Sequence, residues 1–255
     1  MISKIGAWLK DIVFNRRFAL GMALCWGIYM LGAMVWWMDD SLLYIFGAAE
    51  LFNSFVFVFP ICAVIPYALR FSENRKSHLD YMILQRCSAW QYINQTFIRT
   101  AISGFLVMAA GRSLFLLTMP CFFPNALLSY EIENSSIIMP YLDGIARQGN
   151  WIGYFSYYIL SASIPGVFFS VLALTVSAWI DSVYAIFIAP ILFLYAMDYA
   201  AERIGVYSLT GLMASWYFYD SWIQGLCCSV FTFGLLSVIC YAVFTIKGRR
   251  YCCGA

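Results

Sequence analysis

An all-α polytopic membrane protein, with six transmembrane helices behind an N-terminal interfacial elbow helix and both termini cytoplasmic, is the fold class this sequence predicts. Three observations lead there. Apolar runs recur from end to end, several of them about 20 residues long, the length a helix needs to cross roughly 30 Å of hydrocarbon. Of the 255 residues, 63% are hydrophobic and 11% charged, with a mean hydropathy of +0.79, outside the profile of a soluble globular domain. The basic residues, finally, gather in only some of the gaps between the apolar runs, which gives the spans a direction.

Residues 1–17 form the elbow. Ile2, Ile5, Trp8, Leu9, Ile12 and Val13 fall at helical spacing, with Ser3, Lys4, Lys10, Asp11 and Asn15 on the other side. Such a helix lies along the bilayer surface, its Trp at the headgroups and its Lys toward anionic lipid. The transmembrane domain follows over 18–250, with spans at about 18–38, 45–69, 100–123, 152–178, 183–200 and 222–246, and a short cytoplasmic tail at 251–255. The first run is too long for the apolar core of a signal peptide and is followed by Asp39 and Asp40, so it is read as a retained span. Pro60 and Pro66 are expected to kink the inner half of the second span.

Charge sets the orientation. With the N-terminus inside, the inner pieces hold Lys4, Lys10, Arg16, Arg17, Arg70, Arg75, Lys76, Arg86, Arg99, Lys247, Arg249 and Arg250, and the outer pieces only Arg147 and Arg203. That is a strong positive-inside bias. Acids run the other way, with Asp39, Asp40, Glu131, Glu133, Asp143, Asp198, Glu202 and Asp220 outside. Trp36, Trp37, Trp151, Trp179, Trp216, Tyr217 and Trp222 mark the expected interfaces.

The most informative gap is the cytoplasmic stretch 70–99. Leu79, Met82, Ile83 and Leu84 predict a short amphipathic helix, taken as the core of a helix over 73–86, and Ser88 with Gln91 is a capping box that starts the helix running into the third span. A helix, turn, helix arrangement carrying mixed charge is suited to docking another protein, with a solvated connector as the plainer reading. Glu50 and Arg112 are the ionisable residues placed inside spans, where burial is expensive. They are read as a structural pair, as the lining of a translocation path, or as a sign that the span boundaries shift. The outer segment 124–151, with Glu131, Glu133 and Asp143, is by default a surface loop, with capping an exit or receiving a cationic substrate as the functional readings.

Catalytic readings find little material. His78 is the sole histidine and falls in a loop, so a triad or a His-based metal hydrolase lacks its base or ligands. The cysteines lie mostly in apolar runs with no C-x-x-C spacing, and no metal site is expected. No G-x-x-x-x-G-K-[ST] loop is present to cradle phosphates, and no nucleic-acid partner is expected.

Several stretches resemble the permease subunits of ABC-2 type ATP-binding-cassette transporters. They are Pro66-Tyr-Ala-Leu-Arg-Phe-Ser-Glu73, the later Leu84-Gln-Arg-Cys-Ser88 followed by Tyr92-Ile93, and Ser103-Gly104 opening the third span. The tight turn expected around Asp181 between the fourth and fifth spans fits as well. Two positions depart from the family pattern: Ser77 stands where a Gly is usual, and the Lys after the Tyr-Ile pair is missing, with Gln95 or Arg99 nearest. The resemblance implies a pore-forming subunit without nucleotide chemistry or cofactor of its own. It implies a cytoplasmic ATP-binding subunit carrying ATP and Mg, a second permease copy or related permease, and a place in the plasma membrane among its lipids. It also makes Glu73, Arg75, Lys76, His78 and Asp80 the expected ATPase contacts. The substrate class that aromatic, Met-rich spans suit is a peptide, lipid or drug. An ion-coupled secondary transporter and a non-transporting membrane scaffold or sensor are the rival readings.

Overall fold

The computed structural model describes residues 10–35, 58–123, 149–205, 208–213 and 222–252. Within them the chain is helical, with no strand. Residues 10–13 are helical and end in a turn at Phe14. Asn15 then starts α1 (Arg16–Val35), its side-chain Oδ1 accepting from the Arg17 amide at 3.0 Å and its carbonyl from the Phe18 amide at 2.9 Å. Asn is favoured in this place because its short side chain reaches an amide that the first turn leaves without an acceptor.

The second predicted span is described only from residue 58 onward, and in that part the helix is interrupted at Pro66 but not at Pro60. Pro60 stands in the first turn of α2 (Phe59–Val64), where its missing N–H costs no hydrogen bond. Pro66 lies in a turn over 65–68, after which α3 (Leu69–Lys76) sets off anew. The helix expected over 73–86 is likewise two helices, α3 and α4 (Leu79–Leu84). Its break has a local cause. The Ser77 hydroxyl donates to the Glu73 carbonyl at 2.8 Å, and His78 takes the left-handed conformation at φ 57°. The chain thereby changes direction where a continuing helix would need another right-handed residue.

α5 (Ala89–Phe122) begins at the capping box. The Gln91 amide donates to Ser88 Oγ, and the Ser88 amide donates to Gln91 Oε1, each at 3.3 Å. Its 34 residues rise about 51 Å, well beyond roughly 30 Å of hydrocarbon, because the helix begins well before the span expected at 100–123. α6 (Trp151–Ser177) and α7 (Val183–Ile204) follow, joined by a short turn containing Asp181. α7 ends at Gly205 in the left-handed conformation (φ 73°). The five-residue α8 (Leu209–Met213), which no sequence signal announced, precedes α9 (Trp222–Cys252).

Five of these helices, α1, α5, α6, α7 and α9, contain stretches long and apolar enough to cross a membrane. The second predicted span, 45–69, has most of its length outside the described residues. α6 is the central helix: 65% of its most apolar window is buried, against 17% for α7 and for α9. It meets α5 through small residues. Gly104 and Gly166 face each other so closely that a Cβ on Gly104 would lie 2.3 Å from the Gly166 carbonyl oxygen. The Ser170 hydroxyl donates to the Thr100 carbonyl across the same contact at 3.1 Å. In lipid, where tails are as apolar as leucine, this close backbone approach and its hydrogen bond are what select one helix face over another.

Candidate functional site

Two charged constellations stand out, and the first lies at one end of the bundle. The side chains of α3 connect that end in three directions. Arg17 at the start of α1 forks onto Glu73, its two Nη atoms donating to the two carboxylate oxygens at 2.9 and 2.8 Å. Arg70 donates to Asp11 just before α1 at 3.0 Å, and its guanidinium lies 5.2 Å from the Tyr67 ring centre. Arg75 reaches the opposite way, donating to the Ser177 and Ala178 carbonyls at 3.1 Å each and pairing with Asp181. Those carbonyls close the C-terminus of α6, where the macrodipole favours a cation.

The apolar face of α3 anchors it. Phe71 is buried with Tyr92 and Ile93 of α5, Leu174 and Ala178 at the end of α6, and Phe244 of α9. Its ring stands edge-on to Phe244 at 5.3 Å between centroids. Further along α9, Lys247 holds its ammonium 4.6 Å from the Trp179 ring centre in the α6–α7 turn. The start of α1, the 69–88 connection, the α6–α7 turn and the later part of α9 are therefore gathered at one end, together with Arg17, Arg70, Arg75 and Lys247.

The expected docking residues divide. Glu73 and Arg75 are engaged within the chain, and Arg75 keeps only 15% of its side chain exposed. Lys76 and His78 are exposed, while Asp80 falls within α4. Leu79 and Met82 of α4 stand 44% and 57% exposed, whereas Ile83 and Leu84 pack against the cluster around Phe71, so this short helix divides its apolar residues between the outside and the bundle. Sequence reasoning did not find the partners Asp11, Arg17 and Asp181. The one local hint was the spacing of Arg70 and Glu73, three apart on one helix face.

The second constellation surrounds Arg112, about 35 Å along α5 from its start and only 2% exposed. Its guanidinium lies between two tyrosine rings, 5.0 Å from the centre of Tyr29 in α1 and 5.1 Å from that of Tyr158 in α6. It donates to the Tyr29 hydroxyl, to the Tyr158 carbonyl and, at 3.4 Å, to Ser161 Oγ. Tyr29 is itself held by Phe59 of α2 and Phe115 of α5, with ring centroids at 4.7 and 5.4 Å. Arg112 thus ties α5 to α1 and α6 inside the bundle, and Tyr29 brings in α2. Its candidate partner Glu50 lies outside the described residues. Among the described residues no group of His, Cys, Asp and Glu is arranged to hold a metal ion.

All-helical in its described residues, with five helices long and apolar enough to span a bilayer, the chain has the architecture of a helical membrane protein. Compared with known proteins, it matches no family model, no curated protein and no solved structure.

Proposed function

We propose that the chain is the permease subunit of an ABC-2 type exporter. It forms a translocation path for a peptide, lipid or drug-like substrate, and a separate cytoplasmic ATP-binding subunit, holding ATP and Mg, drives it. The observation that carries this reading is how the 69–88 connection is built. α3 is rooted in the bundle by Phe71 and Arg75, and α4, turned away by His78, offers Leu79 and Met82 outward beside Lys76. A stalk with an ordered base and an apolar, basic tip transmits a push from a partner into the spans. A slack linker absorbs it.

On this reading the charged end is cytoplasmic, which the distribution of Lys and Arg supports, both termini are inside, and the protein sits in the plasma membrane. A second copy or a related permease completes the pore, and membrane lipids surround it. The chain has no catalysis of its own.

Glu73 and Arg75 are poor positions at which to test docking, because their substitution disturbs internal pairs. Lys76→Glu combined with Met82→Asp alters only exposed side chains. The double variant should insert and purify normally yet lose co-purification of the ATPase. Undiminished co-purification would reject α4 as the docking face, and ATP hydrolysis by the purified chain alone would reject the permease reading altogether.

A further inference from the structure

Arg70 and Glu73 lie on one side of α3, whereas Arg75 is two residues past Glu73 and so roughly 200° round the helix. The first two hold Asp11 and Arg17 at the start of α1; the third holds the α6–α7 turn. Between these faces, Phe71 and Ser72 are buried at 2% exposure. A single helix of eight residues therefore joins two regions far apart in sequence, and it does so with charges on both sides.

We propose that α3 is an electrostatic strap across the charged end of the bundle. While its ion pairs are closed, the start of α1 and the end of α6 move as one body; when they open, the two separate. The two sides differ in strength, which gives the strap a weak side and a strong side. Arg17 and Glu73 keep 41% and 47% of their side chains exposed, so salt and solvent screen their pair. Arg75 is mostly buried and meets three acceptors, two of them helix-terminal carbonyls that its planar fork can reach together. Opening begins on the α1 side. It then reaches α6 as a shift of α3 about its buried Phe71, which lengthens the contacts of Arg75 with the turn.

The strap stands whether or not an ATPase drives the protein, so its test needs only the full chain in lipid nanodiscs. Amide exchange is followed in three peptides, covering 10–18, 69–78 and 174–184. Arg75→Gln should raise exchange in 69–78 and 174–184. The decisive variant is Arg17→Gln, which touches nothing in the turn. It should still raise exchange at the Ala178, Trp179 and Ile180 amides, by about fivefold to tenfold. Combined with Arg75→Gln it should add little there, since one strap cannot open twice. Arg75→Lys should resemble Arg75→Gln, because an ammonium cannot span the three acceptors.

Unmodified protein provides a check free of folding defects. Raising salt from about 0.1 to 1 M shortens the screening length from about 10 to 3 Å and should loosen 174–184 along with the other two peptides. If Arg17→Gln or high salt loosens 10–18 and 69–78 while 174–184 stays unchanged, α3 carries two independent local contacts and the strap is refuted.

Discussion

A methyl group added at Gly104 would stand 2.3 Å from the Gly166 carbonyl oxygen and 2.4 Å from Ser170 Oγ, where ordinary contact begins near 3.4 Å. The obstacle on one side is backbone, so α5 and α6 must part by about 1 Å or twist. Forcing extra volume into packed structure costs roughly 1–3 kcal/mol. Parting also loosens the hydrogen bond from Ser170 to the Thr100 carbonyl, worth about 1 kcal/mol. Against this, alanine gains about 0.5–1 kcal/mol over glycine within a helix. The balance for Gly104→Ala is a loss of about 1–3 kcal/mol, a fall in Tm of about 5 °C for a chain of this size.

The control has the opposite sign. A Cβ at Gly27 in α1 or Gly234 in α9 meets nothing within 4 Å, so alanine there should raise Tm slightly. Thermal unfolding in detergent, followed by tryptophan fluorescence, reads all three variants. Should Gly104→Ala melt at or above Gly27→Ala, the close approach of α5 and α6 is not what holds the bundle together.

Three further outcomes follow from the same contacts. Arg112→Met removes a buried cation from two tyrosine rings and from its hydrogen-bond acceptors and should cost about 2–4 kcal/mol; Arg112→Lys, which keeps the charge but not the fork, should recover only part of the lost Tm. A Lys variant as stable as the parent would show that charge alone matters there. Ser88→Ala should cost about 1 kcal/mol and speed amide exchange at Gln91, leaving the middle of α5 protected. His78→Val puts a β-branched residue at φ 57° and should lower Tm, whereas His78→Asn should be tolerated; equal melting of the two would argue against the left-handed turn between α3 and α4.

Much of this architecture could be read before any coordinates. The α6–α7 junction lies where the apolar runs at 152–178 and 183–200 meet, and α6 and α9 begin within a residue or two of the expected positions. The start of α5 was legible from Ser88 and Gln91, because a capping box is a contact between residues three apart. The break at Ser77 and His78 was not. The hydropathy of 73–86 is compatible with one helix, and the left-handed residue is a histidine in place of the glycine that would have signalled it.

The charges divide in the same way. Composition and order predict that Arg17, Arg70, Arg75 and Lys247 fall together, and the structure does gather them at one end of the bundle. Which acid each basic residue meets is another kind of fact. Arg17 and Glu73 are 56 positions apart and Arg75 and Asp181 are 106 apart, distances over which no periodicity survives. The same holds for Gly104 against Gly166 and for the tyrosines around Arg112. Hydrophobicity is a property of each segment and drives it into lipid on its own. Partner choice among helices that are apolar all round depends on close packing and a few polar contacts, and these exist only once the segments have assembled.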